Sequence, residues 1–457
     1  MPGRPAAVAL LLLACAALPA AAQRAARPAS APEAATASFL ESIRAQPPLV
    51  SAFLRDMPKG ADLHHHLSGA VYAETFLQWA AQDSLCIVRA TFTAVPPPCD
   101  AAMRPPIASA FRDATLYGDI VDAWSMRNWN PARENGHDQF FVTFGRFGAA
   151  GNNHLGDMVV EATKLAAGDH VSYLETMFTP ERQSINLARR LGYDADFGRM
   201  RQKLLGAGFR DSVLREARAS YDLADSVRAR SCRAPAAPAA ACAVTVRYIY
   251  QVTRARAPEE VFAQILAGFE TATPDGRVVG LNLVQPEADY TAMRDYDLQM
   301  RMIGFLRPLY PKVKVTLHAG ELVPGLVPPE GLRFHIREAV EVALAGRIGH
   351  GVDVLQETGA AQLLREMADR NVLVEICLSS NAQILGVAGK DHPLHAYIDA
   401  GVPVALATDD EGVARSDMTR EYERAVLDQG LGYVQLKTMA RAGLEHAFIE
   451  GASLWSD

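Results

Sequence analysis

The chain lacks the features that would tie it to nucleic acid or to an anionic membrane surface. It holds 45 Lys and Arg against 52 Asp and Glu, for a formal net charge of −7, and the basic residues form no cluster. A polyanion-binding surface needs such a cluster. No long run of like charge forms a tail. No two cysteines have the C-x-x-C spacing of a zinc ribbon or a redox dithiol. The apolar run that follows Arg4 is too short to hold as a membrane-spanning anchor. With 457 residues, 49% of them hydrophobic and 21% charged, the chain can bury a large core.

That apolar run ends in Ala20-Ala21-Ala22 before Gln23, the layout of a secretory signal with a small-residue cleavage site. Residues 1–22 are expected to be removed, and an exported protein follows, periplasmic or extracellular. A lipoprotein anchored at Cys15 is the minority alternative. The Ala/Pro-rich segment 23–45 reads as a disordered leader, with the folded unit at 46–457. Export gives the cysteines a meaning. Cys86 with Cys99, and Cys232 with Cys242, flank short Pro-containing loops and are expected as two local disulfides. Cys377 lies in the apolar run "VLVEICL" and is expected as a buried free thiol.

Eight apolar, β-branched runs recur along the chain: 61–67, 171–178, 244–252, 278–284, 314–319, 347–351, 372–378 and 402–408. Segments such as "PEEVFAQILAGFE" and "AAQLLREMADR" lie between them, with apolar residues at three- and four-residue steps. Alternating strand and helix predicts a parallel sheet. Eight strands fit a (β/α)₈ TIM barrel, with an open doubly wound sheet as the competing architecture. Surplus length between the first two strands, about 84–169, is expected as a Phe-rich helical insertion over the barrel mouth.

The segment "GADLHHHLSGA" (60–70) poses the functional question. In a regular strand, side chains alternate faces. His64 and His66 then share a face with Asp62, while Leu63, His65 and Leu67 take the other. Two histidines do not complete a metal site. Other strand C-termini supply the rest: His318 with Glu321 in "TLHAGE", His350 in "RIGHGVD", Asp409 and Asp410 in "LATDDEG". In a barrel all these positions rise to one rim, where active sites lie. Imidazoles with one carboxylate suit zinc better than the oxygen-loving Mg²⁺ or Ca²⁺. A bound catalytic metal lowers the pKa of water, and a nearby Glu and His can move protons.

The blocks "MPKGADLHHHLSGA", "LHAGE", "RIGHGVDV", "EICLSSN" and "ATDDEG", in this order, resemble the signature blocks of the adenosine deaminase family. The resemblance runs from about residue 57 to the C-terminus. It implies a (β/α)₈ barrel, hydrolytic release of ammonia from a purine nucleoside, and one zinc ion per chain. Position by position, it implies His64, His66, His318 and Asp409 as metal ligands. It gives Glu321 proton donation to the purine ring nitrogen, and His350 the orientation and deprotonation of the attacking water. Asp410 is implied to hydrogen-bond the substrate, and Gly280 to offer backbone to the purine edge. The chain departs from the family at two places. Ser68 stands where an aspartate often meets the sugar, and "NLVQPE" stands in place of a "DLAG"-like block. The altered sugar-side contacts make deamination a firmer expectation than adenosine as the substrate.

The remaining histidines (His137, His154, His170, His335, His392, His395 and His446) lack strand-end placement and read as surface or packing residues. His137, in the insertion, has the best claim to the pocket. Glu375 reads as a satisfied strand residue. Two rivals stay open: a related metallohydrolase acting on an amide, lactone or ester, and a secreted nucleoside-binding or signalling protein without turnover. The first would show a modified lysine or a second metal, yet Lys314 lies at the start of its strand. Intact Glu321 and His350 count against the second. No membrane span and no nucleic acid partner are expected.

Overall fold

The structure is a computed structural model that describes residues 30–235 and 238–455. The expected signal segment, Cys15 included, and residues 23–29 lie outside them. All eight expected strands form: β1 (Gly60–His66), β2 (Val171–Phe178), β3 (Thr245–Thr253), β4 (Val278–Val284), β5 (Lys314–Ala319), β6 (Arg347–His350), β7 (Leu373–Ile376) and β8 (Val404–Leu406). They pair in parallel and in chain order from β1 to β8. A doubly wound sheet would reverse that order part-way. Here the end of β8 returns to β1: Asp409 N–H donates to His64 O at 2.8 Å, and His66 N–H donates to Asp409 O at 2.9 Å. The sheet is a nearly closed TIM barrel. Its strands are buried on both faces, which is why they read as continuous apolar runs.

The surrounding helices start where their sequences direct. Asp289 accepts from the Thr291 and Ala292 N–H groups and caps the helix Tyr290–Leu306. The helix Pro258–Ala272 opens on a proline followed by Glu259 and Glu260, residues favoured in a first turn.

The structure corrects three expectations. The leader does not stay unstructured to residue 45: Ala31–Ile43 is a helix capped by Ser30, with Leu40 and Ile43 buried. Alanine is the best helix former, and those two apolar residues stand three apart, enough to dock one face. Arg44 fastens the docking by donating to Val426 O at 2.7 Å and Leu431 O at 2.9 Å.

The second correction concerns β1, which is not regular. Asp62 pairs with Leu174 and His65 with Thr176, so β1 advances three residues where β2 advances two. That is a bulge, and one extra residue reverses the alternation. Asp62 therefore does not share a face with His64 and His66. Its carboxylate accepts from the Thr408 hydroxyl at 2.5 Å, while Leu63 packs with Ala61, Tyr173, Leu373 and Ala405.

The third concerns the surplus length, which is shared between two crossovers. The first holds a short hairpin (Cys86–Val88 and Thr93–Val95) and the helices Ala114–Ala123, Gly136–Gly151 and Leu155–Gly168. The second, 179–244, holds four helices among the described residues, one of them Phe209–Cys232. Its buried Phe209, Val213, Ala217, Tyr221 and Ala224 mark one face at four- and three-residue steps. Each crossover carries one of the expected disulfides. Cys86–Cys99 and Cys232–Cys242 have Cα–Cα distances of 5.4 and 5.7 Å, and Cys377 is free and buried.

Candidate metal-dependent active site

Three imidazoles and one carboxylate meet at the C-terminal mouth of the barrel. His318 Nε2 lies 3.1 Å from His64 Nε2 and 3.2 Å from His66 Nε2. Asp409 Oδ1 lies 3.5 Å from His64 Nε2 and 3.3 Å from His66 Nε2. The other ring nitrogen of each histidine faces an oxygen. His64 Nδ1 meets Glu375 Oε2 at 2.7 Å, His318 Nδ1 meets Asn282 Oδ1 at 3.0 Å, and His66 Nδ1 meets Gln251 Oε1 at 3.4 Å. An Nδ1–H that donates to oxygen leaves the Nε2 lone pair free. Three lone pairs and a carboxylate oxygen then point at one locus, the arrangement in which outer oxygens orient metal-binding imidazoles. Without a cation these groups would repel one another, so the residues present fit a divalent metal.

The metal-facing side chains depend on small neighbours and on strained backbone. A Cβ on Gly349 would meet the His64 ring at 2.5 Å, and one on Gly69 would overlap the Asp410 carboxylate at 1.5 Å. His350 and Asp409 adopt φ of +68° and +62°, conformations that cost energy and cluster at functional sites. Gly320 and Glu321 are held by their N–H groups, which donate to the two Glu287 oxygens at 3.0 and 2.9 Å.

Glu321, His350 and Asp410 line the same cavity of about 290 Å³. Burial, with the Asp409 charge adding to it, raises Glu321 well above the usual carboxylate range. Burial also pushes Asp410 up to about 8, the Asp409 charge again contributing. His350 Nε2 stands 3.8 Å from Glu321 Oε1. Among the described residues, His350 Nε2 and Asp410 Oδ1 are buried without a partner. The cavity wall opposite is apolar, with Phe140, Phe141 and Phe144 from the helix Gly136–Gly151 and Ile384 beside them.

A family model described as "Adenosine deaminase" matches residues 145–453. The chain belongs to the adenosine deaminase family. An adenosine deaminase from Mycobacterium sp. (strain KMS) is 27% identical over 414 residues, 88% of this chain and 93% of the relative. An adenine deaminase from Rhizobium rhizogenes is 32% identical over 140 residues, 30% of this chain. The chain spans between 38% and 59% of the length of the first curated relatives that it matches. A zinc-bound amidohydrolase from Burkholderia ambifaria shares the fold at a TM-score of 0.58 and 17% identity, with 88% of each chain covered.

The family's ligand residues fall where strand-end reasoning places them, and so do Glu321, His350, Asp410 and Ser68, all at the cavity. Gly280 does not. It is the third residue of β4, where a Cβ would meet Lys314 O and the Phe448 ring at 2.9 Å. That is the far end of the strand, too deep to reach a purine. The residue of this block that lines the cavity is Gln285, at φ +85°. "NLVQPE" is therefore mainly a support element, with Asn282 holding His318 and Glu287 holding Glu321.

His65 faces away from the metal locus and bonds Thr176 Oγ1 at 2.8 Å. His137 sits beside Asp138 and Phe141, outside the cavity lining. Glu375 is a satisfied strand residue, as expected, yet it is also the partner of His64. Asn282, Gln251 and Asn381 escaped sequence reasoning. Gln251 and Asn282 lie two residues before the ends of β3 and β4, and Asn381 closes the "EICLSSN" block just past β7.

Proposed function

We propose that this chain is a zinc-dependent aminohydrolase that deaminates adenosine or a close, uncharged relative to the inosine-type product and ammonia. The observation that supports it best is the three-histidine, one-aspartate locus with Glu321, His350 and Asp410 around one cavity. Zinc, held by His64, His66, His318 and Asp409, would supply a Lewis acid and a water activated at neutral pH. Glu321 donates its proton to the purine ring nitrogen, which makes the amine-bearing carbon electrophilic. His350 positions the attacking water, and Asp410 bonds the substrate. The Phe140, Phe141 and Phe144 wall and Ile384 cover the remainder of the ligand and exclude solvent.

No Lys or Arg is among the residues that line the cavity. A phosphate needs such partners, so the reading favours a nucleoside or free base over a nucleotide. A structural neighbour is titled an N6-mAMP deaminase, from Arabidopsis, with a TM-score of 0.55, 19% identity, and coverage of 87% of this chain and 96% of that one. The metallohydrolase rival is disfavoured by the absence of lysine from the cavity lining. We further propose export, supported by the layout of residues 1–22 and by the two disulfides.

The test is ammonia release by zinc-loaded protein from adenosine, 2′-deoxyadenosine, adenine and AMP. Deamination of a nucleoside well above AMP is expected. No release from any of the four, or AMP as the best substrate, would overturn the reading.

A further inference from the structure

We propose that a hydrogen-bond relay running from the Leu394 backbone through His392 and Asn381 fixes His350 as its Nε2–H tautomer. His350 then meets the attacking water as a hydrogen-bond donor and does not take its proton. The inference deepens the deaminase reading and rests on it for the identity of the water.

The direction of each bond follows from a group that can only donate. The Leu394 N–H lies 3.1 Å from His392 Nδ1, so that nitrogen accepts. The hydrogen of a neutral His392 ring is then on Nε2, and burial holds His392 down at about 4, which keeps it neutral. His392 Nε2 lies 3.1 Å from Asn381 Oδ1, and its N–H donates there. This sets the orientation of the amide. Asn381 Nδ2, a donor only, lies 3.0 Å from His350 Nδ1, which must accept. A neutral imidazole that accepts at Nδ1 carries its hydrogen on Nε2. Flipping the Asn381 amide does not escape the result. It would force His392 to carry its hydrogen on Nδ1, against the Leu394 N–H, with donor facing donor in a buried place. Asn381 and His392 are both buried, so water does not substitute for either bond.

His392 and Asn381 are thus positioning residues that act through His350. The far end of the His350 ring, Nε2, is the atom without a protein partner at the cavity. The relay presents an N–H there, aimed at the oxygen that attacks the purine. Once Glu321 has given its proton to the purine ring nitrogen, its carboxylate, 3.8 Å from His350 Nε2, is free to take the proton that leaves this oxygen.

The decisive readout is the ring-nitrogen NMR spectrum of zinc-loaded protein labelled with ¹⁵N-histidine, with His350 assigned by its loss in His350→Gln. The expected spectrum shows His350 protonated at Nε2 and bare at Nδ1. The reverse tautomer overturns the proposal, and this measurement stands whether or not the protein deaminates anything. Kinetics supply the second arm. Asn381→Asp offers an acceptor to both rings and should turn His350 to the Nδ1–H form. Its kcat should fall at least about tenfold, with zinc content and KM within about threefold of wild type. His392→Leu should also lower kcat. His392→Gln, which keeps an N–H donor near the Nε2 position, should restore it. An Asn381→Asp protein with the reversed tautomer and wild-type kcat would remove the relay from function. If that variant does not fold, the wild-type spectrum still decides.

Discussion

Arg347, deep in the barrel at the start of β6, has a partner on each of its three guanidinium nitrogens. It donates to Glu375 Oε1 and Glu175 Oε2 at 2.6 Å each, and to His446 O at 3.0 Å. The Phe448 ring covers its guanidinium at 3.6 Å. At the opposite, C-terminal end of the same interior, the polar atoms converge without satisfying one another. Three Nε2 atoms face Asp409, and His350 Nε2 and Asp410 Oδ1 have no protein partner. Both ends are buried and polar. The deep end is a closed account of charges and hydrogen bonds, so it confers stability. The mouth is open toward one locus, so it confers ligand binding and chemistry. Glu375 joins the two, accepting from Arg347 and Thr316 on one oxygen and facing His64 Nδ1 with the other.

Changes at each end should separate these roles. Glu321→Gln has the largest expected effect. It keeps the shape of the side chain, removes the transferable proton, and should lower kcat about 10²–10⁴-fold. Zinc content and thermal midpoint should stay near wild type, checked by metal analysis and calorimetry. Arg347→Met acts at the deep end and leaves Glu175 and Glu375 buried without their cation. Denaturant unfolding should show a loss of about 3–5 kcal/mol. If stability is unchanged, the deep end is not the stabilising one.

Glu375→Gln probes the joint. Loss of an outer-shell carboxylate typically costs 10–100-fold in metal affinity, and zinc competition with a chelator should find a weakening of about that size. A larger fall in stability than in zinc affinity would assign Glu375 wholly to the deep end. Ser68→Asp is the mildest change. It places a charged acceptor at the cavity and should shift kcat/KM by about tenfold toward nucleosides with a free 5′-hydroxyl, compared with their 5′-deoxy analogues.

The mouth was legible in the sequence because a parallel barrel raises every strand C-terminus to one rim, and β-branched runs mark those ends well. His64, His66, His318, Glu321, His350, Asp409 and Asp410 all follow from that rule together with the family resemblance. Depth along a strand was less legible. Gly280 lies in the right strand at the wrong height, and the bulge in β1 moved Asp62 to the other face. Two regions misled by composition. Residues 31–43 read as a loose Ala/Pro leader because their docking face is only Leu40 and Ile43. The polar helix 209–232 hid an apolar stripe between arginines and aspartates. Supporting residues such as His392 and Glu287 carry no local signature, because their roles exist only once distant strands and loops meet.

Strand geometry assigns one face of the "HHH" segment to the metal locus and leaves the other outside it. Zinc per chain, measured by mass spectrometry on purified wild-type, His66→Ala and His65→Ala proteins, tests it most directly. About one zinc is expected in the wild type and in His65→Ala, and little in His66→Ala, since His66 Nε2 is at the metal locus and His65 bonds Thr176. Absence of zinc from the wild type, or equal loss in both variants, would contradict this assignment of the two faces.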